Sequence, residues 1–219
     1  MPVFSVAIFF FIALFFVAMV QIEFLEIAYA KLGLTPEVSL IILIGTLVGS
    51  GINLPLYALK TKLGGHFVES ADKKGPVWEI YQPVREGRTI IAMNVGGCLI
   101  PLGLCLFFVS QQVLEPVKLL AAISAISLLS YKLSQPIPGR GVAMPIFIAP
   151  LVAAALALTL DSEHAAQFAY ICGVLGVLIG ADILHLKDIP SLGSPIASIG
   201  GAGTFDGIFL TGIIAALLA

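Results

Sequence analysis

Ile199-Gly200-Gly201-Ala202-Gly203-Thr204-Phe205-Asp206-Gly207-Ile208-Phe209-Leu210-Thr211-Gly212 opens the last apolar segment of the chain, which runs on to Ala219. Asp206 sits inside that segment, behind several small residues. A carboxylate in hydrocarbon costs about 3 kcal/mol on insertion scales, so it marks a site by default. Glycines on a helix face let another backbone come close. The preceding apolar segment carries a second acid, in Gly180-Ala181-Asp182-Ile183-Leu184-His185. Function turns on whether the two acids meet.

The composition sets the class. The chain is 59% hydrophobic and 11% charged, where a soluble domain carries about 25% charged residues. An integral membrane protein follows, read as a single polytopic domain over 1–219 with 60–88 as its sizeable loop. Its solvent partner is the lipid bilayer. A net charge of −2 points away from nucleic acid. Cys98, Cys105 and Cys172 all lie in apolar segments and are expected as free thiols among helices. No Cys/His spacing suggests a metal, and no motif calls for a cofactor. Val3 to Ile22 is long for the core of a signal peptide and lacks a basic flank, so it is expected to be a retained helix.

An all-α membrane fold is expected. A spanning helix needs about 20 apolar residues, and seven segments qualify: 3–24, 36–59, 89–111, 117–134, 143–160, 166–187 and 198–219. The basic residues test this alternation. Lys60, Lys62, Lys73, Lys74, Arg85, Arg88, Lys132, Arg140 and Lys187 fall on one side, and only Lys31 and Lys118 on the other. The positive-inside rule then makes the N-terminus cytoplasmic and the C-terminus external, in the cell membrane. Within the loop 60–88, His66-Phe67-Val68-Glu69 and Val77-Trp78-Glu79-Ile80-Tyr81 flank Asp72-Lys73-Lys74-Gly75. That pattern predicts a small cytoplasmic hairpin between helices 2 and 3, anchored by Trp78 and Tyr81. Its edge is alternatively a place for an extended peptide to pair.

Leu47-Val48-Gly49-Ser50-Gly51-Ile52 echoes Leu178-Ile179-Gly180-Ala181-Asp182-Ile183, and Val95-Gly96-Gly97-Cys98 echoes Ile199-Gly200-Gly201-Ala202. The echo suggests a 3+1+3 internal repeat, a plan common in transporters. In helical register Asp182 and Asp206 both fall roughly 8–12 Å below the cytoplasmic surface. Asn53 and Asn94 fall in the same layer, and the four are expected to converge on one cavity. Pro136-Ile137-Pro138-Gly139-Arg140-Gly141 closes that cavity from the cytoplasm. Each polar group also has a plainer role. Asp182 can snorkel beside Lys187, Asp206 can be a structural hydrogen-bonding group, and the asparagines can be interhelical glue. His185, three residues after Asp182, is expected at the interface. Glu23 and Glu26, and separately Asp161, Glu163 and His164, are expected on the outer side.

Gly49-Ser50-Gly51-Ile52-Asn53-Leu54-Pro55, Asn94-Val95-Gly96-Gly97, Gly180-Ala181-Asp182 and the 200–207 motif together resemble a family of uncharacterised prokaryotic multi-pass membrane proteins. That likeness implies no activity. The C-terminal third is similar in plan to intramembrane aspartyl proteases of the presenilin and signal-peptide-peptidase type. Those carry one catalytic aspartate on each of two successive helices, the second in a Gly-x-Gly-Asp motif. Here Thr204-Phe205 separates Gly203 from Asp206, Ala181 stands where that family has tyrosine, and no Pro-Ala-Leu motif follows. The resemblance implies Asp182 and Asp206 as a catalytic dyad acting on a transmembrane peptide. Asn53, Asn94, Gly201, Gly203 and Thr204 are expected to line the substrate site. Two other classes remain open. The same acids, with Asn53 and Asn94, suit a proton- or cation-coupled transporter. They also suit a non-catalytic assembly protein in which they only fix helix packing.

Overall fold

The computed structural model describes residues 22–63, 85–111, 114–137, 141–191, 196–201 and 206–219. Most of the expected first helix and the strands about Asp72-Lys73-Lys74-Gly75, with Trp78 and Tyr81, lie outside them. Helix α1 covers 22–31 and stops at Gly33, whose φ of 80° suits a residue without a Cβ. Thr35 then caps α2 (Pro36–Gly49), with proline at the first helical position, where its missing N–H costs nothing.

The all-α expectation needs correcting at three segments. Segment 36–59 is helix only to Gly49, and Asn53–Leu63 is strand β1. Pro55 cannot sit inside a helix without losing a hydrogen bond and clashing with the preceding turn. Segment 89–111 begins as strand β2 (Arg85–Asn94), passes a π-helical turn at Val95–Leu99, and only then becomes α3 (Ile100–Gln111). Thr89, Ile90 and Ile91 are β-branched and alternate buried, exposed, buried, the period of a strand. Segment 198–219 splits into strand β5 (Ile196–Ile199) and α7 (Gly207–Leu218). Hydropathy reports burial and is blind to which backbone achieves it.

Elsewhere the expected helices stand close to their bounds. Helix α4 is Pro116–Leu133, and α5 is Ile148–Leu160. Between them the short strands β3 (Gln135–Ile137) and β4 (Gly141–Ala143) pair antiparallel, which delays the start of α5. Helix α6 (Ala165–Val177) continues through a π-helical turn, Leu178–Asp182, and a 3₁₀ turn, Ile183–His185. The molecule is mostly helical, with seven helices among the described residues. Two stretches, Pro116–Leu133 and Ala165–His185, are long and apolar enough to cross a membrane.

Helix α6 is the axis of the core. It packs against α3, α4, α5 and α7, and its residues from Phe168 to Val174 are all buried. Small residues allow this. Ala149, Ala153, Ala154 and Ala157 form the buried face of α5, and Gly212 of α7 rests on Tyr170 and Val174. The strands form one sheet in the order β1-β2-β5. β1 runs antiparallel to β2 from Asn53↔Asn94 to Leu63↔Arg85, with a bulge after Pro55, and β5 runs parallel to β2. At the opposite end of the molecule, Lys31 Nζ donates to Leu217 O at 2.8 Å and Gln167 Nε2 to Leu32 O at 3.3 Å. These bonds gather the α1–α2 turn, the start of α6 and the end of α7. The three cysteines are free and buried.

Two glycines give a paired test of this packing. A Cβ on Gly176 would run into Ile126 of α4, whereas one on Gly103 of α3 meets nothing within 4 Å. Gly103→Ala should raise stability by up to about 1 kcal/mol, the helix preference of alanine over glycine. Gly176→Ala should lower it by about 1–3 kcal/mol, because overpacking outweighs that preference. Thermal melts in detergent read both.

Candidate functional site

Asp182 owes its position to a change of helix type. The π-helical turn inserts extra backbone into α6, and Asp182 stands where that turn passes into the 3₁₀ turn. Such turns are enriched at functional sites because they re-aim one side chain. Gly180, inside the turn, lies against the Ser127 carbonyl of α4, leaving no room for a Cβ. His185 secures the far side. Its Nδ1 lies 3.1 Å from Gly180 O, and a carbonyl only accepts, so Nδ1 carries the hydrogen. Its ring lies 4.8 Å from that of Tyr131, and Lys187 Nζ stands over Tyr131 at 5.9 Å. The expectation of His185 at the interface is therefore wrong: it is only 5% exposed. The helical spacing used to place it does not hold across a π and a 3₁₀ turn.

Asp206 also departs from its expected setting. It is not eight residues into a helix but is the N-cap of α7, where its Oδ2 accepts from Ile208 N at 3.1 Å. The N-terminal end of a helix favours a negative group there. Asp206 remains only 7% exposed.

Two glycines bring the acids' elements together. Gly200 follows β5 with φ of 68° and lies against Gly97 and Cys98. Gly97, in the π-helical turn after β2, lies against Gly200 and Asp206, where an added Cβ would come within 2.9 Å of Asp206 Cβ. Asn94 caps that turn by accepting from Gly97 N at 2.8 Å. Its Nδ2 donates to Ser50 O at 2.8 Å and to Asn53 Oδ1 at 3.0 Å. Ser198 Oγ donates to the same Asn53 Oδ1 at 2.5 Å.

The result is a cavity of about 400 Å³ lined by Asp182, Asp206, Asn53, Ser198, Gly200 and Gly201. Gly141 and Val142 of β4 form part of the wall, on the linker expected to close it. Of the expected site residues, Asp182, Asp206, Asn53 and Gly201 thus line one cavity. Asn94 stands behind Asn53, and Gly203 and Thr204 lie outside the described residues. Ser198 and His185 complete the setting but were missed. Ser198 is hidden in a segment read as helix, and His185 by its shifted register. Among the described residues no group of three or more His, Cys, Asp or Glu side chains is arranged to hold a metal ion.

Two experiments separate the structural roles of these groups. Asparagine caps a helix about as well as aspartate, while alanine costs about 1 kcal/mol. Asp206→Asn should therefore melt within a few tenths of a kcal/mol of the wild type, and Asp206→Ala about 1 kcal/mol lower. For His185, the background is a chain with its three cysteines replaced by alanine and carrying Asp182→Cys and Asp206→Cys. His185→Phe keeps the ring stack but loses the tie to Gly180 O. It should slow bridging by a short bifunctional thiol reagent by about tenfold or more, as expected when a side chain is displaced by about 1 Å. His185→Asn, which retains a donor, should restore most of the rate.

No curated protein and no solved structure matches the chain. Residues 47–218, most of the sequence and every element of the cavity, match the family described as Protein of unknown function (DUF1614). The chain therefore belongs to that family.

Proposed function

We propose that the protein is an intramembrane aspartyl protease-like enzyme in which Asp182 and Asp206 hydrolyse a peptide bond near the cytoplasmic side of the membrane. The observation that carries this is the presence of two acids from separate elements in the wall of one cavity, inside a chain with so few charges. A membrane setting is supported by the outer surface. Ile41 and Val48 of α2, Leu106 of α3, and Val117 and Leu120 of α4 are all largely exposed, which suits contact with lipid better than with water. Its orientation is supported by the grouping of ends. Lys60, Arg88, Lys132 and Lys187 belong to the half of the molecule that holds the cavity, and the sparsely basic α1–α2 turn lies at the other. The topology proposed is seven crossings, N-terminus cytoplasmic and C-terminus outside.

The chemistry uses both carboxyls as one unit. Two close carboxyls share a single proton, and their titration belongs to the pair. The ionised partner removes a proton from water as its oxygen attacks the peptide carbonyl. The protonated partner gives its proton to the carbonyl oxygen. The resulting gem-diol collapses when a proton passes to the leaving amine and the carbon–nitrogen bond breaks. Strand β5 (Ile196–Ile199), whose residues line the cavity, offers an extended backbone of matching shape for an unwound substrate.

Purified protein in detergent or liposomes, given a helical membrane peptide, should cleave it. Asp182→Asn and Asp206→Asn should each lower cleavage by at least about a hundredfold, and the double variant no further, as for groups that act as a unit. Undiminished cleavage by Asp206→Asn would end the proposal. Proton-driven uptake into proteoliposomes that is lost in Asp206→Asn, without cleavage by the wild type, would assign the acids to transport instead. Orientation is tested separately: Ser162→Cys should react with an impermeant thiol reagent added outside cells, and Lys187→Cys should not.

A further inference from the structure

Asn53 is the cavity residue whose chemistry the two acids do not explain, and its orientation is forced by its neighbours. Amide oxygen and nitrogen are assigned from their partners, and here the partners leave one choice. Gly97 N can only donate, so the Asn94 atom facing it is Oδ1. Ser50 O can only accept, so the Asn94 atom facing it is Nδ2. That same Nδ2 also faces Asn53, which must answer with Oδ1. Ser198 supplies a second donor to this oxygen. The pairing is built into the sheet, since Asn53 and Asn94 are register partners on β1 and β2. With Oδ1 held by two donors, the planar amide turns its two N–H bonds away from Asn94 and Ser198. Among the described residues Nδ2 of Asn53 has no acceptor, and the residue lines the cavity.

We propose that the Asn53 side-chain amide is a hydrogen-bond donor that holds a peptide carbonyl of the bound substrate in the acid-lined cavity. The assignment rests on the aspartyl-protease reading for the identity of the ligand, but not for the polarity of the amide. In a wall whose other charged groups are carboxylates, a fixed neutral donor supplies what a carbonyl acceptor needs and what the acids, once ionised, lack. Asn94 and Ser198 act through it as positioning residues. What this amide can serve is an acceptor, such as a peptide carbonyl, and not a cation.

The test uses the full chain in detergent and a peptide isostere with a hydroxyethylene group in place of the scissile bond. Asn53→Ala should weaken isostere binding and raise KM by about tenfold, the weight of one good hydrogen bond. kcat should hardly change, while the melting temperature should fall by no more than the two hydrogen bonds lost to Asn94 and Ser198 account for. Asn53→Asp keeps the shape but sets an acceptor against an acceptor, and should lose about a hundredfold. Unchanged binding in both variants would overturn the proposal. So would a loss of binding that simply tracks the fall in melting temperature across Asn53→Ala, Asn53→Ser and Asn53→Asp. If the wild type neither cleaves peptides nor binds the isostere, the protease reading fails. The donor is then judged by side-chain amide hydrogen exchange. Fast exchange at Asn53 beside protection at Asn94 supports the fixed polarity, and protection at Asn53 overturns it.

Discussion

The approach of Gly97 to Gly200 is the contact on which the rest of the site depends. It lets the end of β5 touch the π-helical turn after β2 with no side chain between them. Without it, β5 would stand off from β2, and the cap of α7 from the Asn94 network. A methyl at either position meets backbone, which cannot swing aside. The contact is therefore an all-or-none spacer: it sets the separation between the strand end that carries Ser198 and the turn that carries Asn94, and Asp206 is fixed against both.

The second determinant is α6. A helix buried on almost every side cannot adjust by rotating, since close-packed neighbours resist it. It adjusts lengthwise, by loosening into a π-helical turn and tightening into a 3₁₀ turn within eight residues. Gly180 and His185 hold that irregular stretch from two sides, one by admitting the Ser127 carbonyl and the other by tying Gly180 O. Asp182 is thus presented by a rigid body through a short stretch of non-ideal backbone, the arrangement expected where a precise side-chain position matters.

Much of this was legible in the sequence, and the omissions share one cause. The acids and the asparagines stand out because polar residues are rare in so apolar a chain, and Asp182, Asp206 and Asn53 line one cavity with Asn94 bonded behind Asn53. The cap role of Asp206 was not read, although an aspartate just before an apolar run is an N-cap signal. The strands were lost because Leu54 to Leu59 and Thr89 to Met93 are as apolar as a helix, and an apolar run of that length has no period that separates the two. Pro55 was the one local clue. Segment 198–219 failed for the same reason, and so the depth assigned to Asp206 counted helical turns that do not exist.

The strands also bear on how water reaches such a site. A three-stranded sheet has open edges, and lipid cannot satisfy their N–H and C=O groups. In a membrane the sheet must therefore lie where protein or water covers it. The cavity meets this need, since its polar wall is built from β5, the Asn53 end of β1 and the cap of α7. The proposed hydrolysis would require the same thing: a water beside two carboxyls, at a depth where lipid would exclude it. In the proposed enzyme, the feature that departs most from an all-helical fold would thus be the one that brings backbone, acids and water to one place, with the exposed apolar faces of α2, α3 and α4 turned to hydrocarbon.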